Sequence, residues 1–193
     1  MNKMEANLRE QWENEGYVVL RGLFDPERTA QLHKICDAIL AQWRINNPEN
    51  GKPGGKPDAT VMRHLNHPGY FREQAEWLPV LMDAVADEQV LNVARTILGE
   101  EPMFRCTSFF FNPLEDSRDG DWHRDSQFSA PNDEAEKAIL AKLSRSGNSI
   151  QMQIPLVPSA DIEYIPGSHI RWDTPAEYAI RKADGGKNKR ANN

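Results

Sequence analysis

The sequence predicts an α+β fold with a mainly β core. Helical patterns fill residues 1–100, and strand-like patterns take over from Pro102. Two segments carry the prediction. Leu32, Ile35, Ile39 and Trp43 recur at helical spacing, and the opening of SIQMQIPLV alternates apolar with polar residues, as a strand with two unlike faces requires. The elements follow in order. MNKMEANLREQWENEG is a polar helix up to Glu15. GYVVLRGLF, a β-branched run between Gly16 and Asp25-Pro26, reads as a strand. Asp25 is an N-cap with Pro26 at the first helical position, opening an amphipathic helix that runs through residue 45. PENGKPGGKPDAT is a Gly/Pro/Lys loop, the expected mobile element of this half. Helical patterns return between Tyr70 and Leu98 and stop at Gly99.

MFRCTSFFFNPL, SIQMQIPLV and IEYIPGSH then read as strands, with GDWHRDSQF among them, and the last ends in a Pro-Gly turn. Asp133 and Glu136 form a capping box for an inserted helix, and Thr174-Pro175-x-Glu177 opens a short one. ADGGKNKRANN has nothing to bury and is expected to be disordered. The expectation is one domain over residues 1–182, helical over about 1–100 and stranded over about 101–172, followed by a disordered tail at 183–193.

The net charge of -6 and 27% charged residues leave no basic surface for nucleic acid or an anionic membrane, so a small molecule is the expected partner. The N-terminus lacks a signal-peptide pattern and no apolar stretch is long enough to span a bilayer, which predicts a soluble cytoplasmic protein. The sequence sets no oligomeric state. Cys36 and Cys106 are far apart and lack Cys-x-x-Cys spacing, so both are expected to be reduced and partly buried.

GDWHRDSQF places a histidine and an aspartate one residue apart between two aromatic residues. On a strand His123 and Asp125 share a face, with Cβ atoms about 6 to 7 Å apart, close enough to converge on one metal ion. Imidazole plus carboxylate with open positions fits non-haem Fe(II), where a second histidine completes one face of an octahedron. His-x-Asp alone is also what a surface ion pair on a solvated loop looks like. The strand reading puts both side chains on the inward side of a sheet, beside a strand from Ile150 to Leu156.

WENEGYVVLRGLFDPE, CTSFFFNPL leading into GDWHRDSQF, and EYIPGSHIRWDTPAEYAIRK occur in an order and at separations that resemble the phytanoyl-CoA dioxygenase-like branch of the Fe(II)/2-oxoglutarate-dependent dioxygenases. The resemblance covers about Gln11 to Lys182. It implies a double-stranded β-helix, the cupin-like jelly roll, flanked by N-terminal helices, with His123 and Asp125 as two of three iron ligands. It also implies Fe(II) as cofactor, 2-oxoglutarate as co-substrate, ascorbate as reductant, and oxidation of a small organic substrate with release of succinate and CO₂. Related halogenases carry a small residue in place of the carboxylate, so Asp125 implies hydroxylation or another oxidation.

Within that frame Gln151 and Gln153 share one face of their strand. They either meet the co-substrate's carboxylate or stand outward as polar residues of a half-exposed strand. Gln127 shares the ligand face and is a candidate for touching substrate, while Trp122 reads as packing and Arg124 as structural. His64 and His67 either line a substrate entrance or are hydrogen-bonded surface residues. His169 helps shape the Pro-Gly turn, and His33 sits unremarkably on the amphipathic helix.

No histidine follows His169, whereas the family continues with strands bearing the second iron-binding histidine and an arginine for 2-oxoglutarate. Arg181 and Arg190 lie in the wrong context to replace that arginine. The expectation is a jelly roll incomplete at its C-terminus, inactive as 193 residues alone. The competing expectation is a non-catalytic, truncated or degenerate dioxygenase-fold binding module. A cupin-like metalloenzyme is a distant third, because cupins place more histidines in this first motif.

Overall fold

The computed structural model describes residues 3–47, 59–112, 122–143, 149–159 and 162–182. The first helix, α1 (Lys3–Glu15), ends at Gly16, whose φ of 81° suits only glycine. A Cβ there would also lie 2.4 Å from His169 Nδ1, so the close approach of the two segments independently demands glycine. The end of α1 is satisfied from far along the chain: Gly167 N donates to Glu15 O at 2.9 Å, and His169 Nε2 lies 3.2 Å from Glu13 O.

Helix α2 (Pro26–Asn46) starts where the sequence predicts, with Asp25 Oδ1 accepting from Arg28 N at 2.7 Å and Pro26 inside the first turn. Its apolar face buries Leu32, Ile35, Cys36, Ile39 and Leu40. Burial removes the Cys36 thiolate from water and pushes that thiol up to about 12, so it is an inert packing group. Cys106 is exposed instead of partly buried.

Against α2 pack Met62, Leu65, Phe71 and Leu81. They come from strand β1 (Val61–Arg63), the turn after it, a 3-10 turn at Pro68–Phe71, and helix α3 (Trp77–Val85). Strand β2 (Ser108–Phe110) pairs antiparallel with β1, Met62 facing Phe109 across the ladder, and Phe109 and Phe111 lean onto the same core. Between α3 and β2 runs α4 (Glu88–Leu98), capped by Asp87; it stops at Gly99, in the left-handed conformation, where the sequence predicts the end. Arg28 of α2 donates to Asp83 O at 3.0 Å and ion-pairs with Asp87, fastening the α3–α4 junction to the first turn of α2. No helix among the described residues is long and apolar enough to cross a membrane.

The mainly β core is not what these residues build. Among them only β1 and β2 are strands, and the core is organised on a helix. Tyr17–Leu20, SIQMQIPLV and IEYIPGSH run without ladder partners, and the described part of MFRCTSFFFNPL contributes only the three residues of β2. A β-branched or alternating run becomes a strand only when another backbone pairs with it in a ladder, and these segments are in no ladder. The double-stranded β-helix is therefore not confirmed. The Gly/Pro/Lys loop up to residue 58 and the tail at 183–193 lie outside the described residues.

Helix α5 (Asp133–Leu143) is capped one residue earlier than the sequence predicts, by Asn132 Oδ1 accepting from Ala135 N at 2.9 Å. Glu136 does not close a capping box. It is 1% exposed and receives Arg181 Nη1 at 2.8 Å from α6 (Pro175–Arg181). The predicted box on α6 is present: Thr174 N donates to Glu177 Oε2 at 2.7 Å and Glu177 N to Thr174 Oγ1 at 3.3 Å. The fork of Arg171 grips the same carboxylate through both oxygens at 2.7 Å and is the main reason the Glu177 carboxyl titrates at about 2.

Three outcomes follow. Asp25→Ala removes the α2 cap and costs about 1 kcal/mol, read as a lowered denaturant midpoint at unchanged slope. Glu136→Ala strips one anion from a buried pair and costs about 3 kcal/mol in the same measurement, because Arg181 keeps Asp173. The Glu177 carboxyl is depressed from 4.5 to about 2, so its contribution is complete above pH 4.5 and drains away as pH falls toward 2. Glu177→Gln is expected to flatten the acid limb of a stability–pH curve across that window.

Candidate functional site

Trp122–Arg124 is neither helix nor strand, Arg124 is extended, and Asp125 opens a 3-10 turn that runs to Phe128, so GDWHRDSQF is not a strand where it is described; Gly120 and Asp121 lie outside the described residues. The shared face survives the correction. Arg124 has φ −113° and ψ 136°, which sends its side chain one way and its neighbours' the other. His123 Nε2 lies 3.4 Å from Asp125 Oδ1, with the two side chains 49% and 66% exposed. The pair looks outward over an open surface, where the sequence reading had it facing into a sheet.

The surroundings fix this geometry on three sides. Gln151 Nε2 donates to Asp125 Oδ2 at 2.6 Å, so the 150–156 segment does lie beside the pair although it forms no ladder. That bond occupies one carboxylate oxygen and leaves the other turned to His123. The Phe128 ring stands 5.4 Å from the His123 ring, centroid to centroid. Behind the pair, Arg124 donates to Asp173 Oδ1 at 2.7 Å, to Ser168 O at 2.6 Å and to Arg171 O at 3.1 Å. Its structural role is as the sequence predicts.

The donor set suits a metal ion on two sides. Two ligands bound at about 2.1 Å and at right angles sit roughly 3.0 Å apart, and the observed separation of 3.4 Å needs only a slight adjustment. Among the described residues no third His, Cys, Asp or Glu joins the pair in a group able to hold a metal.

The other predicted residues separate. Gln127 turns inward, its Oε1 accepting from Arg181 Nη1 at 2.8 Å and from Arg124 N at 3.3 Å, so it braces the segment and is not presented to a ligand. Gln153 is exposed two residues beyond Gln151. His64 and His67 line a different feature, an open cleft of about 800 Å³ shared with Trp43, Arg63, Tyr70 and Arg72. There His67 Nδ1 accepts from Gly69 N at 3.0 Å, and His64 alone among the described non-glycine residues has a positive φ, 54°. His33 pairs with Asp37 at 3.1 Å on the surface of α2.

Sequence reasoning missed Asp173 and the buried role of Arg181. Asp173 accepts Arg181 Nε at 2.7 Å, with Nη2 ion-paired at 2.6 Å, on the oxygen that Arg124 does not use. The available signal was the charge-dense RWDTPAEYAIRK, where an aspartate beside a tryptophan precedes a helix ending in arginine. Nothing local says that its partner stands 49 residues earlier.

The chain matches the family described as Phytanoyl-CoA dioxygenase (PhyH) over residues 12–192. Neither a curated protein nor a solved structure matches it. The matched span takes in the α2 core, the His123–Asp125 pair and the arginine–aspartate system behind it, and the chain belongs to the phytanoyl-CoA dioxygenase family.

Proposed function

We propose that the protein is an Fe(II)- and 2-oxoglutarate-dependent oxygenase that hydroxylates or otherwise oxidises a small organic substrate, with succinate and CO₂ as co-products. The observation that carries this reading is the 3.4 Å approach of His123 Nε2 to Asp125 Oδ1 in a chain of this family. Those two side chains would hold the iron. When bound, iron and 2-oxoglutarate together supply the oxidising power of O₂ for a C–H bond, and ascorbate serves as reductant.

The residues of the chain do the rest. His123 offers a ring nitrogen and Asp125 a carboxylate oxygen to the ion. Gln151 holds the carboxylate through Oδ2 and keeps it from rotating away from His123. Phe128 gives the open side apolar surface that a substrate can cover, displacing water from around the pair. Gln153, exposed on the same segment, is the candidate to hydrogen-bond the co-substrate's carboxylate. The cleft with His64 and His67 is the candidate substrate entrance, where Arg63 and Arg72 favour an anionic group.

A second reading has its own support. Both ligand side chains are open to solvent and no third donor joins them among the described residues, which also describes a family member that binds without catalysing.

Melting curves and succinate release separate the two readings. Mn²⁺ with 2-oxoglutarate is expected to raise the melting temperature of the complete protein by several degrees, an effect lost in His123→Ala and Asp125→Ala. With Fe(II) and ascorbate, any succinate release above background is expected to be lost in either variant. An unshifted melting curve at millimolar ligand is the result that favours the non-catalytic module.

A further inference from the structure

We infer that Arg124 is a positioning residue: its guanidinium, drawn into the protein by Asp173 and two backbone carbonyls, holds His123 and Asp125 on one side of an extended segment that no sheet supports. The inference rests on the metal reading above for what the pair does, and on geometry alone for how the pair is held.

In a sheet, ladder hydrogen bonds keep the pleat, and the pleat keeps residues i and i+2 on one face. Trp122–Arg124 belongs to no strand, so another agent must keep Arg124, between the two ligand residues, in its extended conformation. Arg124 meets that need. It turns Nε to Asp173 Oδ1 at 2.7 Å, with Nη2 also 2.7 Å from that oxygen, Nη1 to Ser168 O at 2.6 Å and Nη2 to Arg171 O at 3.1 Å, three acceptors spread across the turn that joins Gly167 to Asp173. The Arg124 and Asp173 side chains are only 13% and 4% exposed, so water competes little.

Asp173 cannot follow a moving Arg124, because its other oxygen is held by Arg181, itself bonded to Glu136 on α5. The anchor is therefore rigid, and each inward bond of Arg124 fixes the outward direction of its two neighbours. The seat requires the planar fork of arginine. A lysine keeps the charge toward Asp173, yet its single nitrogen cannot reach three acceptors arranged for three nitrogens.

The test compares wild type, Arg124→Lys, Arg124→Gln, His123→Ala and, as a remote destabilised control, Asp25→Ala. Two readings are taken well below each melting temperature. The first is Mn²⁺ affinity from the electron paramagnetic resonance of the free ion. The second, in the metal-free protein, is the proton cross-relaxation between the His123 and Phe128 rings, whose centroids are 5.4 Å apart. Arg124→Lys and Arg124→Gln are expected to weaken Mn²⁺ binding at least tenfold and to lose the ring cross-peak, while Asp25→Ala keeps both. His123→Ala is expected to bind no Mn²⁺.

Affinity and cross-peak retained in Arg124→Lys overturn the inference. So does a loss in Asp25→Ala as large as in Arg124→Lys, since general loosening then explains both. Wild-type protein that takes up no Mn²⁺ refutes the metal reading, and the ring cross-peak by itself then decides whether Arg124 positions the pair.

Discussion

One nearly dry carboxylate organises the second half of this protein. Asp173 gives one oxygen to Arg124 and the other to Arg181, and Arg181 continues to Glu136 on α5, so two cations and two anions meet out of water. Their charges balance, which is the condition under which such a cluster can be buried at all. Replacing a buried ionic set by apolar residues is often no loss in stability. What this set supplies is direction: each guanidinium fixes three acceptors, and those acceptors come from the 122–128 segment, the turn at 167–173 and α5, with α6 supplying Arg181 itself.

The first half is held differently. Every buried apolar side chain among the described residues lies between Leu32 and Ile97, whereas after Ile97 the buried residues are Glu136 and Arg181. A hydrophobic core is non-directional and forgiving, and α2 can serve as its spine because five of its side chains face one way. An ionic core is exacting: it holds only when every partner is in place, and removing one leaves a charge stranded. Local opening is accordingly expected to begin in the second half, where little apolar burial opposes it. The two halves touch through polar contacts, His169 and Gly167 on the carbonyls of Glu13 and Glu15, and through apolar ones, the stacked rings of Tyr17 and Tyr164 and Leu156 against the α2 core.

The candidate metal pair sits on the exacting half. Its side chains are exposed, but the backbone bearing them is not free, because Arg124 between them is fastened inward and Gln127 braces the turn that follows. An open ligand pair on a fixed backbone is well suited to binding, since ordering the site costs little when the ion arrives. Gln151 serves the same end from the solvent side.

The sequence by itself determined what can be settled within about one helical turn. Asp25 and the Thr174–Glu177 box were legible because a cap is a bond to a residue two or three positions away, Gly99 because a left-handed closure favours glycine, and the buried face of α2 because helical period sorts residues without knowledge of the partner. The common face of His123 and Asp125 was legible for the same reason, since it needs only extended backbone. Tertiary structure decided the rest. β-branched composition made Tyr17–Leu20 and the 150s eligible as strands, yet a strand exists only if a second backbone accepts its hydrogen bonds, and that depends on topology. Glu136 had the spacing of a capping residue but was claimed by Arg181, 45 positions away, and Gln127 had the ligand face but was claimed by the same guanidinium. A buried charge goes to whichever opposite charge the fold brings within 3 Å, and no local pattern in the chain encodes which one that is.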